Sequence, residues 1–245
     1  MSQYLVFRLY GAMASFGEIA VGELRHSAVY PSRSALLGLL AAALGIPRSD
    51  EAGQQALING YRFGVKLIAS GTPLRDYHTV QSPAISKKIT YRTRKQEMAD
   101  KDKLSTILTS REYRTDGLYM VAVDALNDAP FSLQQLAGAL DKPIFQLYLG
   151  RKSCPLALPL AAIVAEFESL KMALDSRDQQ ALLPEMLAVS RALRLDRSPR
   201  YFWEQGMDSG MDATLTQTRS DQPLSRARWQ FAPRQELVFM SGVGS

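Results

Sequence analysis

Apolar residues alternate with polar or aromatic ones over Tyr4–Tyr10, which is the pattern of a half-buried strand. Leu5, Phe7 and Leu9 lie on one face of this predicted strand and are expected to point into the core. The other face carries two tyrosines, a valine and Arg8. That second face is either a solvated surface or a platform on which nucleic-acid bases can stack, and the solvated surface is the simpler interpretation.

Three further strands follow from the same pattern. Tyr61–Ala69 places apolar residues on one face, and Leu118–Val123 is apolar on both faces, as in a central strand. Ile144–Leu149 is predicted to be the fourth strand.

Two helices are predicted between these strands. The first begins near Ser32, whose hydroxyl can cap it, and ends at Gly45. The second covers Ser132–Leu140. The resulting order, βαββαβ, predicts an α+β, ferredoxin-like (RRM-like) antiparallel sheet backed by two helices. We expect one domain over residues 1–159 and a smaller C-terminal subdomain over residues 160–245.

The basic charge of the chain is concentrated in one segment. The formal net charge is +5, and residues 86–114 alone carry it, with nine basic and four acidic side chains. Residues 89–95 and 106–114 are rich in strand-forming types and flank a polar stretch, which predicts an inserted, exposed β-hairpin. A basic element on a neutral body indicates a polyanionic partner.

Cysteine and histidine usage excludes several classes of site. Cys154 is the single cysteine, so no intrachain disulfide can form, which is typical of a reducing cytoplasm. One cysteine with His26 and His78 cannot make a four-ligand zinc site. The sequence contains neither the phosphate-binding motif G-x-x-x-x-G-K-[ST] nor the dinucleotide-binding motif G-x-G-x-x-G, so no cofactor is expected. The longest apolar run, Ala35–Ile46, is too short to span a bilayer, and residues 1–13 lack the pattern of a signal peptide.

Two segments have the residue types that meet phosphate groups. Ser32–Ser34, at a helix start, offers free backbone N–H groups and two hydroxyls, although plain capping is the alternative. Gly150–Pro155 follows the predicted fourth strand and puts a serine beside two cations, as in phosphate-binding turns. A hydrated surface turn is the alternative for this second segment.

Tyr77, His78 and Lys87 are the candidates for catalysis. A metal-independent ribonuclease needs a base for the 2′-hydroxyl and an acid for the leaving oxygen, and these residue types can supply both. A histidine without a spacing signature, next to a tyrosine, is more often a stacking or hydrogen-bonding group. Binding is therefore the favoured role for this segment.

Three segments together resemble a known family. Pro31–Ile46, Leu74–Val80 and Tyr148–Leu156 are similar, in order and spacing, to the CasD subunits of type I-E Cascade, within the CRISPR-associated RAMP superfamily. The resemblance extends over about residues 1–160. It implies a structural, non-catalytic protein with a ferredoxin-like RNA-binding core and an inserted thumb hairpin, here the basic segment at about residues 86–114.

The resemblance also implies the partners. This family holds the 5′ handle of the crRNA in an antiviral ribonucleoprotein complex, contacts the CasC backbone subunit and the large CasA subunit, and meets target DNA through the assembled complex. No metal is implied. The candidate RNA contacts in this chain are Arg25, His26, Ser32, Arg33, Ser34, Tyr77, His78, Lys87, Lys88, Arg92, Arg94, Arg111, Arg114, Arg151, Lys152 and Ser153.

Two alternatives stay open at this point. Related type I-C proteins cleave precursor crRNA with tyrosine, lysine and histidine, so a metal-independent endoribonuclease is the second hypothesis. Here Pro31 is followed by Ser-Arg-Ser rather than by a tyrosine, which favours binding. An RNA-binding module unconnected with CRISPR is the third hypothesis.

Overall fold

The computed structural model describes residues 1–20, 22–83, 90–176, 193–226 and 228–240. Over these residues the chain is a mixed α/β protein with one large, mainly antiparallel sheet. The strands are β1 (Ser2–Ala14), β2 (Phe16–Gly17), β3 (Leu24–Arg25), β4 (Ser27–Ala28), β5 (Tyr61–Ala69), β6 (Thr72–Pro83), β7 (Leu104–Ala125), β8 (Ile163–Phe167), β9 (Arg200–Glu204), β10 (Leu215–Ser225) and β11 (Gln230–Met240). The helices are α1 (Arg33–Leu44), α2 (Glu51–Gly60), α3 (Arg94–Glu97), α4 (Leu133–Asp141) and α5 (Leu170–Asp175), with a 3-10 turn at Lys101–Lys103. None of these described helices is long and apolar enough to cross a membrane.

Strand β7 connects the body of the sheet to a projecting hairpin. The strand order is β10-β11-β9-β5-β7-β1-β8, so β7 lies between β5 and β1. Residues 114–123 of β7 pair with β1, whereas its residues 104–115 pair with β6. We call β6 with residues 104–115 of β7 the projecting hairpin. Because one strand runs through both parts, the hairpin continues the ladder of the core sheet.

The first face of β1 packs as predicted. Leu5, Phe7 and Leu9 are buried in an apolar cluster with Leu40 of α1 and Leu136 of α4. Helices α1, α2 and α4 cover this face of the sheet. The prediction of an inward-facing apolar row is confirmed.

The second face of β1 is also buried, so the expectation of a solvated face is wrong. Tyr4 and Val6 belong to a second apolar cluster that includes Leu174 of α5. Arg8 lies on the same face and is buried, and its Nε donates a hydrogen bond to the carbonyl oxygen of Pro159 at 2.8 Å. The residues that cover this face, such as those of α5, lie far along the chain, so the local sequence pattern of β1 cannot predict them.

Both predicted helices form, with the predicted ends. The Ser32 hydroxyl accepts a hydrogen bond from the backbone N–H of Ala35 at 3.2 Å and caps α1, and Gly45 ends it with φ of 74°. Ser132 and Gln135 form a reciprocal capping box at the start of α4. These predictions are confirmed.

Residues 144–149 do not form the predicted strand. The backbone N–H groups of Ile144 and Phe145 donate to the carbonyl oxygens of Ala43 and Ala42 at 3.0 Å each, at the C-terminal end of α1. These hydrogen bonds satisfy helix carbonyls and leave the segment outside the ladder. Strand β8 takes the place beside β1 that the segment was predicted to fill.

The first strand of the projecting hairpin is also not the predicted one. Residues 89–95 were expected to be a strand, but Thr93 caps α3 by accepting a hydrogen bond from the backbone N–H of Gln96 at 3.3 Å. The partner of β7 is β6 instead, so the Leu74–Val80 motif lies on the projecting hairpin itself. Residues 84–89 lie outside the described residues.

The C-terminal part of the chain extends the same sheet. Strand β8 pairs with β1, and β9 lies between β5 and β11. Residues after 159 also enter both apolar clusters. The division into domains at residue 159 stays a prediction.

A buried ion network attaches the start of α1 to the C-terminal strands. Arg33, only 5% exposed, donates from Nε to Glu204 Oε2 at 2.9 Å, and its backbone N–H donates to Asp221 Oδ2 at 2.8 Å. Its Nη2 also donates to the carbonyl oxygens of Ile58 and Tyr61. The side chain of Arg33 thereby contacts three separate elements, α2, β5 and β9, and its backbone N–H contacts a fourth, β10.

The second half of the network holds β10 and β11 together. Arg234 bonds Asp221 Oδ1 at 2.6 Å and Glu236 Oε1 at 2.7 Å, and the Tyr30 hydroxyl donates to Glu236 Oε2 at 2.5 Å. Burial on its own raises the pKa of Asp221, but the hydrogen bond and charge of Arg234 hold that pKa below its ordinary value. Burial raises the pKa of Glu204, against the opposing charge of Arg33. The carboxylates therefore depend on the arginines to stay ionised.

Replacing Arg33 with methionine should destabilise the protein by about 3–5 kcal/mol, because it leaves Glu204 buried without its partner. Urea unfolding monitored by circular dichroism measures this free energy. Arg75→Met is the matched control, since Arg75 pairs with Glu112 at the surface and its loss should cost about 1 kcal/mol or less. Equal costs for the two variants would contradict the role assigned to the network.

Candidate nucleic-acid interface

An open cleft of about 1100 Å³ brings together two of the segments singled out in the sequence. Its lining includes the first turns of α1, residues 15–20, residues 145–151 and the β10–β11 end of the sheet. Ser32 and Ser34 come from the helix-start motif, and Gly150 and Arg151 come from the glycine-cation motif. Motifs more than a hundred residues apart thus share one surface.

The helix-start motif contributes hydroxyls, but the backbone N–H of Arg33 is not free as predicted. The hydroxyl oxygens of Ser32 and Ser34 are 3.0 Å apart and both residues line the cleft. The Asp221 carboxylate accepts the backbone N–H of Arg33, so a protein anion already occupies the helix start. Arg33 was expected to contact RNA, but its guanidinium is buried in the ion network and its role here is structural.

The glycine-cation motif forms a tight turn locked against the end of β1. Gly150 has φ of 83°, and a Cβ at this position would collide with the carbonyl oxygen of Ser15, so glycine is required. The turn leaves Lys152 and Ser153 exposed, while Arg151 is half-buried at the wall of the cleft.

Arg151 also links the cleft to the projecting hairpin. Its Nη1 donates to the hydroxyl of Tyr113 at 3.1 Å, and its Cζ lies 5.0 Å from the centre of that ring. Tyr113 belongs to β7. Because this partner is a neutral phenol, the positive charge of Arg151 is oriented without being neutralised.

The structure separates Tyr77 from His78. Neighbouring residues of a strand point to opposite faces, and both lie in β6. Tyr77 is 66% exposed and shares its face with Arg114, whereas His78 shares the other face with Arg111, opposite Asp76. These two candidates for acid and base chemistry therefore do not converge on one bond.

A second group of predicted contacts lies where the hairpin leaves the core. His26 Nδ1 is 3.1 Å from Glu112 Oε2, and Arg75 Nη2 donates to Glu112 Oε1 at 3.0 Å. Hydrogen bonds from His26, and then from Arg75, hold the pKa of Glu112 below its ordinary value. Arg25 lies in β3 directly beside Arg111. His26 and Arg75 therefore contact the Glu112 carboxylate, whereas Arg111 lies on the opposite face of β7.

The loop at the far end of the hairpin contributes less free charge than was predicted. Arg94 forms an ion pair with Glu97 at 2.5 Å and also donates to the carbonyl oxygen of Gln81. Arg92 is exposed. Lys87 and Lys88 lie outside the described residues.

Sequence reasoning missed several residues that line the cleft. They are cations and aromatic rings that come from three separate parts of the chain: Arg48, Phe145, Tyr148, Arg226, Trp229 and Phe231. The mixture of arginines and aromatics after residue 200 was a signal, but only the fold selects which side chains meet. Cations beside aromatic rings are the groups that hold phosphates and stack the bases of single-stranded nucleic acid. Among the described residues, no group of three or more His, Cys, Asp or Glu side chains is arranged to hold a metal ion.

Comparison with known protein families supports the motif-based resemblance. The family model described as CRISPR-associated protein (Cas_Cas5) matches residues 4–236. The CRISPR system Cascade subunit CasD of Escherichia coli (strain K12) is 39% identical over 168 residues, which are 65% of this chain and 70% of that protein.

Solved structures are similar over nearly the whole chain. A chain of a CRISPR RNA-guided surveillance complex, 26% identical, superposes with a TM-score of 0.64 and covers 97% of this chain and 89% of its own. A crystal structure of a Cas protein, 22% identical, covers 97% of this chain and 94% of its own with a TM-score of 0.56, and shows the fold alone. The family predicted from the three motifs is confirmed: the chain belongs to the Cas5 family of CRISPR-associated proteins.

Proposed function

We propose that this chain is a structural, non-catalytic subunit of a Cascade complex that holds the 5′ handle of the crRNA in the cleft. The observation that carries the proposal is the lining of the cleft, where cations and aromatic rings lie beside the helix-start motif at Ser34 and the glycine-cation motif at Gly150. A site for single-stranded RNA needs both kinds of group, since cations contact the phosphates and aromatic rings stack on the bases. Assembly on crRNA would take place in the cytoplasm, where the lone, buried Cys154 stays reduced.

The strand order supports a ferredoxin-like core within the larger sheet. Taken in chain order, β1, α1, β5, β7, α4 and β8 give the sequence βαββαβ. Their spatial order is β5-β7-β1-β8, with antiparallel pairing throughout. The remaining strands then extend this core at the β5 edge and through the projecting hairpin.

The projecting hairpin is proposed to be the thumb. It exposes apolar side chains on both of its faces, Leu74 and Ile107 on one and Tyr77 and Leu108 on the other. A two-stranded ribbon has no core of its own, so such side chains are best explained by a partner that covers them. We propose that the partners are the crRNA at the end of the handle and the CasC backbone subunit, with the large CasA subunit nearby and target DNA reached through the assembled complex.

The geometry favours binding over cleavage of precursor crRNA. Tyr77 and His78 lie on opposite faces of β6, and His26 is engaged by Glu112. General acid and base groups must reach the same scissile bond to act together. The endoribonuclease is therefore the weaker hypothesis for this chain.

Removing the charges of the glycine-cation turn should weaken RNA binding in a salt-dependent way. For Arg151→Gln combined with Lys152→Gln, the log–log slope of affinity against salt should become shallower by about 1.4, since each phosphate contact on a single strand contributes about 0.7. Filter binding of cognate crRNA at salt concentrations from about 50 to about 300 mM measures the slope. Arg197→Gln, at an exposed cation outside the cleft lining, is the control. An unchanged slope in the double variant would contradict the proposed contacts.

Shortening the projecting hairpin should spare the fold and impair assembly. Tyr77 and Ser110 are register partners, so residues 78–109 can be replaced by an Asn-Gly turn that closes the same ladder. Because most of the removed residues are exposed, the free energy of unfolding should change by less than about 1 kcal/mol. Cascade assembly should fall, and hydroxyl-radical footprints should change at the first spacer nucleotides. A variant that unfolds, or one that assembles with an unaltered footprint, would contradict the thumb assignment.

A further inference from the structure

Two arginines and a tryptophan form a distinct corner of the cleft. Trp229 lies in the turn between β10 and β11 and is 56% exposed. The guanidinium of Arg48, from the segment that follows α1, lies 4.2 Å from the centre of the Trp229 ring. Arg226, in the same turn, donates from Nη2 to the carbonyl oxygen of Ser34. All three line the cleft.

Among the residues that the structure describes, no carboxylate forms an ion pair with either arginine of this corner. Burial, and then the charge of Arg48, lower the pKa of Arg226. Among the described groups that act on Arg226, none is a carboxylate. The buried arginines 33 and 234 differ, because each has carboxylate partners at 2.9 Å or less. Two neighbouring cations without an anion are unfavourable when partly desolvated, and an anionic ligand relieves that cost.

The floor of this corner is kept open by a glycine. Gly38 lies within α1, where glycine costs about 1 kcal/mol relative to alanine. A Cβ at residue 38 would be 3.4 Å from Arg226 Nη2, at the edge of ordinary contact, and Gly38 itself lines the cleft. Helix α1 therefore has a residue of low helix propensity, Gly38, at the point where it lines the cleft.

We propose that Arg48, Arg226 and Trp229 form a pocket for one nucleotide of single-stranded RNA. The phosphate lies between the two guanidinium groups, and the base stacks on the exposed part of the Trp229 ring. This inference rests on the proposed function, since it assigns one nucleotide of the bound RNA to a particular corner of the same cleft. A phosphate alone would use the cations but not the indole, so the stacked base is the part that identifies a nucleotide.

Tryptophan fluorescence gives a direct test. The chain has two tryptophans, and Trp203 is 2% exposed, so quenching by a stacked base reports on Trp229. Titration of the full chain with cognate crRNA should quench the emission, and Trp229→Phe should remove that signal. Trp229→Ala should weaken binding about 5- to 150-fold, the range of one lost base stack.

The role of the two arginines, Arg48 and Arg226, can be tested against a matched control, Arg228, in the same turn as Arg226. Arg48→Gln and Arg226→Gln should each weaken crRNA binding about tenfold, as expected for losing a charged hydrogen-bond donor. Arg228→Gln removes an equal charge from an exposed neighbour outside the cleft lining and should leave affinity within about twofold. Gly38→Ala should lower affinity without lowering the melting temperature. A purely structural role for Gly38 would leave the affinity unchanged.

The outcomes separate the pocket from the proposed function. If wild type binds crRNA without quenching, and Trp229→Ala binds equally well, the proposed pocket is wrong. The proposed function is then tested separately, by the salt dependence of RNA binding in the double variant of Arg151 and Lys152. If quenching occurs but an oligonucleotide abasic at each position in turn never abolishes it, the stacked base is wrong. If wild type does not bind crRNA at all, the proposed function fails, and the pocket fails with it. Trp229 is at the surface, so its variants keep the test valid even if Arg226→Gln fails to fold.

Discussion

One continuous strand, β7, imposes the geometry on which the rest of the molecule depends. Its inner part is the centre of the sheet, and its outer part is one side of the projecting hairpin. Because β7 is continuous over Leu104–Ala125, it fixes where the hairpin leaves the core, next to Asp116, whose φ is 57°. The contact between Tyr113 of this strand and Arg151 then connects the hairpin to the cleft.

The molecule uses arginine in two physically different ways. Arg33 and Arg234 are buried with carboxylates and attach the C-terminal strands to α1, which builds one wall of the cleft. Arg151 and Arg226 face neutral partners, a phenol and a backbone carbonyl, and keep their charge available. The same residue type therefore stabilises the fold in one place and, in another, leaves its charge available to an anionic partner. A count of basic residues cannot separate these two roles.

Local signals predicted helices α1 and α4 and the family, whereas features that depend on tertiary contacts could not be predicted. Capping residues such as Ser32 fix helix ends from a few neighbours, so both helices were correct. Residues 144–149 have the composition of a strand, but their N–H groups are used by the end of α1. The contact of Arg33 with Glu204 and that of Arg48 with Trp229 each join residues more than 150 positions apart in the sequence. No local pattern carries that information.

The central claim is that the cleft between α1 and β10–β11 holds the crRNA handle. Photo-cross-linking tests it most directly: 4-thiouridine is placed at successive handle positions of crRNA in the assembled complex, and the modified residues are identified by mass spectrometry. The account predicts cross-links to residues that line the cleft in its two loop segments, namely Phe145, Tyr148, Arg151, Arg226, Trp229 and Phe231. Cross-links from the handle that fall only on α5, which packs on the opposite face of the sheet from α1, would contradict it.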